Sequence, residues 1–409
     1  MKIGIVGGSI AGCSAAYLFL KEGHEVTVFE RSGKALVGRG GGIGTTPALM
    51  EQIRNDGLIG NDFASFRISK MPFVGKLDSA EPYGKTAWSM PMQFEVFQWN
   101  ELWQKLRSNV PDHCYCPGVK IVDAGQIAGG QVELTTDSGK KQVFDLVLFA
   151  DGYNSLGRSI LFPDKHLQYR GYVLWRGLLP ESEVDGQIRL KDEILRLSYR
   201  SGRPGHNVVY FIPHPDGSVK EGARVVNWAA YITFTETELD EVMTDKNGKM
   251  RVGTLPPGAM SEQIETRLKR LLSENIPAHY GAMVEKTEDS YIQVIYTLDL
   301  DRYYKDNMCL IGDAGMVIQP FTGSGVFKGF NNAKDLIHCL HEHDSLEEAL
   351  DSWSGKQIET GRRLLALGEQ MEKAFIWEQP DFARATEKET ANWWKASVTF
   401  PENFTYEKR

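Results

Sequence analysis

Ile3-Gly4-Ile5-Val6-Gly7-Gly8-Ser9-Ile10-Ala11-Gly12 runs from an apolar stretch through a glycine turn into a series of small residues. Ile3 to Val6 has the uninterrupted apolar character of a buried strand, and Ala11 to Leu20 has the apolar spacing of a helix. Glycines between them let the turn tighten and let a pyrophosphate approach the amides at the helix N-terminus. Val26-Thr27-Val28-Phe29 makes a second strand that ends at Glu30. A carboxylate there accepts both ribose hydroxyls of an adenosine and repels a 2′-phosphate. The site therefore suits FAD or NAD rather than NADP, with Gly7, Gly8, Ser9, Ile10, Ala11, Gly12 and Glu30 as its residues. Ser9 occupies the middle glycine position of the fingerprint and slightly hinders backbone approach. A ligand-free glycine turn is the alternative reading.

Two later segments extend the reading. Ala150-Asp151-Gly152 follows the strand-like stretch Val143 to Phe149, and open α/β sheets place ligands just beyond such buried strands. Met308-Cys309-Leu310-Ile311-Gly312-Asp313 is another buried strand, ending in a carboxylate suited to a ribityl hydroxyl. Gln319-Pro320-Phe321-Thr322 then leads to Gly323-Ser324-Gly325, which opens a helix running to about Leu340. Bare amides and a positive dipole end face whatever lies before that helix. Set against a flavin pyrimidine edge, they stabilise the negative charge of the reduced ring; without a ligand they are an ordinary helix cap. In Gly38-Arg39-Gly40-Gly41-Gly42, the glycines allow close approach to a ligand and Arg39 offers charge to a pyrophosphate. Arg31, beside Glu30, is either a further cofactor contact or a solvated surface charge.

Composition narrows the setting. The 409 residues exceed one hydrophobic core, so two intertwined domains are expected. Apolar residues make up 42% and charged residues 24%, and no apolar run approaches the ~18 residues of a membrane span. Because the N-terminus enters a strand at once, no signal peptide is expected. Five scattered cysteines, an odd number, suit a reducing cytoplasm, and Cys114-Tyr115-Cys116 lacks a partner pair for a metal. A net charge of −8 argues against a nucleic-acid partner.

From about residue 163 to residue 295 the chain turns to aromatic, alternating strands: Tyr172 to Arg176, Asn207 to Ile212 and Arg224 to Thr233. Paired antiparallel, they would offer a planar substrate an aromatic wall. Tyr210 and His214, four residues apart on or just past one strand, are the candidates for a base or hydrogen-bond relay. Arg176 is either a ligand for a substrate carboxylate or a structural arginine; Trp228, Tyr231 and Phe321 are cavity-lining candidates. The expected fold is α/β: a Rossmann-like FAD-binding domain, with a parallel sheet and a small antiparallel sheet, over 1–162 and 296–345. It is interleaved with an α+β substrate domain over 163–295 that carries an antiparallel sheet. A helical region over 346–409 follows, its Trp377, Trp393 and Trp394 covering the site, forming a dimer surface or packing internally.

The three segments, in this order over most of the chain, resemble the single-component FAD-dependent aromatic hydroxylases related to p-hydroxybenzoate hydroxylase. Gly171-Tyr172-Val173-Leu174-Trp175-Arg176-Gly177 and Leu310-Ile311-Gly312-Asp313-Ala314 resemble in particular the 2,6-dihydroxypyridine 3-hydroxylase branch. The resemblance implies that Glu30 holds the adenosine ribose, Arg39 the pyrophosphate and Asp313 the ribityl chain. Asp151, Gly152 and Arg158 match the family's dual-function Asp-Gly segment. It further implies a substrate-stimulated cycle: NADH or NADPH binds transiently and reduces FAD, dioxygen gives a flavin C4a-hydroperoxide, and a phenol or hydroxypyridine ring is hydroxylated. Two departures stand out: Gln98-Trp99-Asn100-Glu101-Leu102 lacks the arginine many members carry, and Gln319-Pro320-Phe321 replaces an Arg-Pro-His run. An FAD oxygenase for a larger non-phenolic compound, such as an epoxidase or antibiotic-modifying enzyme, and a non-catalytic flavin sensor are the alternatives. The expected state is a cytoplasmic monomer or homodimer.

Overall fold

The computed structural model describes residues 1–36, 40–78, 81–185, 190–200 and 203–398. A six-stranded sheet has Lys2–Val6 at its centre. That strand lies parallel between Glu25–Glu30 and Leu146–Phe149, and Leu146–Phe149 lies parallel to Met308–Leu310. Val6 pairs with Phe149 and Phe149 with Leu310, so three strands end in one row. Gly7, Ala150 and Ile311 all leave the sheet at that level, which brings segments far apart in sequence to one edge.

The first turn is as tight as its glycines permit. Gly7 has φ +109°, and a Cβ there would lie 2.3 Å from the Ala150 carbonyl oxygen. A Cβ on Gly12 would lie 1.8 Å from the Gly7 oxygen. No side chain fits either place, so the Ile10–Lys21 helix starts directly against the strand end. Its N-terminus meets that of the Phe327–Glu342 helix, because Gly312 and Gly329 leave room for Ala11 between them.

A nine-stranded sheet forms the second layer. Its centre is antiparallel, in the order Tyr291–Thr297, Gln168–Pro180, Val225–Thr233, Gly205–Ile212. Leu195–Ser198 follows and runs parallel to Phe66–Gly75, which pairs with Lys85–Gln98 and, through it, with Gly42–Thr45. The division expected at residue 163 is thus corrected: three strands from residues 42–98 belong to the substrate sheet. They pair locally with one another and join the larger sheet through one pairing, Phe73 and Val74 with Arg196 and Leu197, more than a hundred residues away, which leaves no local signature. The stretch Val143 to Phe149 also divides, with Lys141–Phe144 in a separate three-stranded sheet and Leu146–Phe149 in the parallel one.

Alternation along the central strands sorts side chains onto two faces. Tyr172, Leu174, Val208, Tyr210, Ala229 and Tyr231 share one apolar cluster, while Val173, Trp175, Val209, Phe211 and Trp228 share the other. The C-terminal part adds the Leu346–Glu372 helix and the Glu387–Ser397 helix, the latter opened by a Thr386/Glu389 capping box. Trp394 stacks on Phe375 at 5.5 Å and packs on the first sheet face. Among the described residues, no helix is long and apolar enough to cross a membrane.

Candidate functional site

A cavity of about 470 Å³ joins the ends of the parallel strands to the first face of the larger sheet. At one end it is lined by Ser9, Ile10, Ala11, Gly152, Gly312, Asp313, Pro320, Gly323 and Gly325, nine residues singled out from the sequence. At the other it is lined by Arg176, Tyr210, Tyr231 and Phe321, together with Arg196, Met92, Phe94 and Trp394.

The cofactor end is built from backbone. Glu30, buried at the end of its strand, accepts from Gly8 N at 2.8 Å and from Ser32 N at 2.8 Å. Each oxygen retains acceptor capacity, as a ribose contact requires. The Gly8 carbonyl accepts from Trp103 Nε1 and Tyr115 Oη, both at 3.1 Å, which fixes the turn from the side. Asp151 caps the next helix, its Oδ2 accepting from Leu156 N at 2.7 Å, while its Oδ1 is buried with no partner among the described residues. Burial raises the Asp151 pKa above the ordinary carboxylate range. Arg158 donates to the carbonyls of Ala314 and Tyr153, so it braces the strand ends rather than facing the cavity. Ser324 shares a hydrogen bond with Thr322 Oγ1 at 2.7 Å.

Lys328 and Asn332 were not evident from the sequence. Lys328 is buried in the first turn of the Phe327–Glu342 helix, 2.5 Å from Asp313 Oδ1, and donates to the Met316 carbonyl. Asn332 Oδ1 accepts from Gly312 N at 2.8 Å. The helix has no side-chain N-cap and no acidic residue in its first turn; the Phe327 and Lys328 amides donate to the Ser324 carbonyl, so it is the positive end of the helix dipole that an anionic edge would meet. The glycine cradle, the unpartnered Asp151 oxygen and two facing helix N-termini together fit an FAD running from Glu30 toward Asp313.

At the substrate end, Arg176 Nη2 donates to the Gly42 carbonyl at 2.9 Å and lies 3.3 Å from Asn227 Oδ1. Asn227 Oδ1 in turn accepts from Gly42 N at 2.8 Å, which clamps the Gly42–Thr45 strand to the sheet. Arg176 Nε is buried with no partner among the described residues. Tyr210 and Tyr231 reach the cavity, and their hydroxyls have no hydrogen-bond partner among the described residues. Burial pushes both phenols up to about 12, so each remains a proton donor at neutral pH. Asp313, at the cofactor end, is the one carboxylate among the described lining residues.

Several expectations require correction. His214 lies past the end of the Gly205–Ile212 strand, its side chain 44% exposed and paired with Asp216 at 2.9 Å. It does not line the cavity, because the four-residue spacing keeps a face only while the strand continues. Trp228 occupies the opposite sheet face, where its Nε1 donates to Thr287 Oγ1 at 2.8 Å. Its even number misleads because the Val225–Thr233 strand directs its odd-numbered residues, Ala229 and Tyr231 among them, into the cavity. Arg31 is exposed. Arg39 lies outside the described residues.

The comparisons with known proteins agree with this geometry. Residues 169–297 match a family described as FAD binding domain-like, and residues 5–38 match an NAD(P)-binding Rossmann-like domain. The chain is 27% identical to 2,6-dihydroxypyridine 3-monooxygenase of Paenarthrobacter nicotinovorans over 89% of both chains. It is 23% identical to 6-hydroxynicotinate 3-monooxygenase of Pseudomonas fluorescens over 83% of both. The solved structure of 2,6-dihydroxypyridine-3-hydroxylase from Arthrobacter nicotinovorans superposes with a TM-score of 0.81 at 24% identity, covering 94% of this chain and 96% of that one. Fold and site together define an α/β flavoprotein with a substrate cavity walled by an antiparallel sheet. The chain is similar in sequence and in fold to FAD-dependent monooxygenases, and FAD is its cofactor.

Proposed function

We propose that the chain uses NADH or NADPH and dioxygen to hydroxylate a small, hydroxylated aromatic or heteroaromatic ring. The observation that carries this reading is the single cavity in which an FAD cradle opens onto a sheet face bearing donors: Arg176, Tyr210, Tyr231 and Arg196. Such a ring is attacked most readily as its oxyanion, because the charge raises electron density at the carbon that takes oxygen. Arg176 is placed to receive that oxyanion, with Tyr210 donating beside it. A Cβ on Gly42 would sit 2.8 Å from the Tyr210 hydroxyl, which sets that donor next to the Arg176–Gly42 clamp. With both phenols protonated, these residues stabilise an anion rather than create one. The substrate therefore binds as a preformed anion, and its own ionisation sets the acidic limb of the rate profile.

Bound FAD would supply reducing equivalents from NAD(P)H and activate dioxygen for transfer of one oxygen atom. The apolar lining of Met92, Phe94, Phe321 and Trp394 keeps water from the reacting centre. The relatives named for dihydroxypyridine and hydroxynicotinate support a nitrogen heterocycle. The test is FAD-loaded protein screened with hydroxypyridines, hydroxynicotinates and hydroxybenzoates for stimulated NADH or NADPH oxidation, with products read by mass spectrometry. A product heavier by one oxygen is expected. FAD binding with no stimulation by any ring compound would sink the proposal.

A further inference from the structure

Arg196 is a second buried cation at the substrate end, three strands away from Arg176. The register links them directly: Arg176 pairs with Ala229, Ala229 with Val208, and Val208 with Arg196. Residues paired in such a row point to the same sheet face, and three strand spacings put the two Cα atoms about 14 Å apart. Ala229 and Val208 lie between them as a low apolar floor. The two guanidiniums thus flank a slot whose base is flat and whose ends are cationic.

Arg196 is also held in place. Its guanidinium carbon lies 3.7 Å from the centroid of the Phe375 ring, and Nη1 lies 2.5 Å from His206 Nε2. His206 Nδ1 is 3.1 Å from the Phe375 carbonyl, which can only accept, so Nδ1 carries the proton and Nε2 accepts from Arg196. His206 is fully buried, stacks on Tyr231 at 4.5 Å and does not line the cavity. It acts on Arg196 as a positioning residue. A planar cation fixed on two sides, beside the Tyr231 hydroxyl, matches the two-oxygen geometry of a carboxylate.

We propose that Arg196, oriented by His206 and Phe375, receives a carboxylate on the substrate ring while Arg176 and Tyr210 receive the ring oxygen. The substrate is then an aromatic or heteroaromatic hydroxy acid, not a neutral hydroxylated ring. This rests on the hydroxylase reading for the position of the ring but concerns binding, which is measured separately.

The holoenzyme is titrated with 6-hydroxynicotinate and 2-hydroxypyridine, which differ only by a carboxylate, following perturbation of the flavin absorbance. A second pair, 4-hydroxybenzoate and phenol, makes the same comparison without ring nitrogen. The wild-type protein is expected to bind the acid of at least one pair tenfold or more tightly than its partner. Arg196→Met should bring that pair within about twofold, with the flavin spectrum retained, since an unpaired carboxylate gains nothing from the apolar end. His206→Leu should lower the preference severalfold, and His206→Gln, which keeps an acceptor, should restore most of it. Equal binding within both pairs by the wild type overturns the proposal, as does a preference that survives Arg196→Met. If Arg196→Met fails to hold FAD, the wild-type comparison alone decides. Carboxylate preference without oxygen insertion would refute the hydroxylase reading and leave this one standing; oxygen insertion without preference would do the reverse.

Discussion

His206 shows how one side chain couples the site to pH. Burial, first, and the neighbouring Arg196 charge hold its pKa well below the usual histidine value, while the hydrogen bond to the Phe375 carbonyl opposes them. The unfolded chain therefore takes up a proton that the native protein refuses. Its contribution to stability is complete above about pH 6.5 and falls as pH drops below that value, by at most about 1.4 kcal/mol per pH unit. Urea midpoints measured from pH 7.5 to pH 5.5 should fall more steeply for the wild type than for His206→Gln, which has no ring to titrate. Equal slopes would mean that His206 is already protonated in the native state. Nothing local in Gly205-His206-Asn207 reveals this role, because the Arg196 partner is ten residues away across a hairpin and the Phe375 carbonyl comes from the far end of the chain. The glycine turn and Glu30, by contrast, are legible because a strand, a turn and a helix must follow one another at short range.

Between elements, the contact that sets the cofactor end is the crossing of two helix N-termini at Ala11 and Gly329. A Cβ on Gly329 would lie 2.4 Å from Ala11 Cβ and 2.9 Å from Ala11 Cα, both on short, rigid groups. Gly329→Ala should force the helices apart at a cost of about 1–3 kcal/mol, with weaker FAD binding as the amides at Ser9 to Ala11 move. Gly355, exposed in the Leu346–Glu372 helix, has open space where its Cβ would be. There the same substitution should stabilise by about 0.5–1 kcal/mol, through helix propensity and a less flexible unfolded chain. Denaturation curves and FAD titrations of the two variants give opposite signs if the close approach matters; matching signs would show that the helices can separate freely. At this scale the sequence was readable where period and punctuation agree, as in the helix after Gly323-Ser324-Gly325, observed as Phe327–Glu342. It was misleading for Trp228 and His214, since which face of a strand is wet depends on partners that period alone does not identify.

Across the whole molecule, Glu372 ties three distant segments together beneath the cavity. Its carboxylate accepts from Arg170 Nε at 3.0 Å and Nη2 at 2.8 Å, from Tyr172 Oη at 3.1 Å and from Gln319 Nε2 at 3.0 Å. One residue at the end of the 27-residue Leu346–Glu372 helix thereby fixes the central sheet strand and the peptide just before Pro320-Phe321, which lines the cofactor and substrate ends alike. Removing one partner of a buried charge pair costs about 3–5 kcal/mol, and the low end applies here because the Arg170 side chain is 23% exposed. Glu372→Ala should lower the thermal midpoint and also weaken FAD binding, because Gln319 loses the acceptor that anchors its loop. Tyr172→Phe alone should cost less, about 1.5–3 kcal/mol, since Arg170 and Gln319 still hold the carboxylate. The double variant should be little worse than Glu372→Ala, because both changes delete the same hydrogen bond. Fully additive costs would show that the Tyr172 hydroxyl stabilises the fold independently of the carboxylate, and an unchanged FAD affinity in Glu372→Ala would show that the cofactor end keeps its shape without this tie.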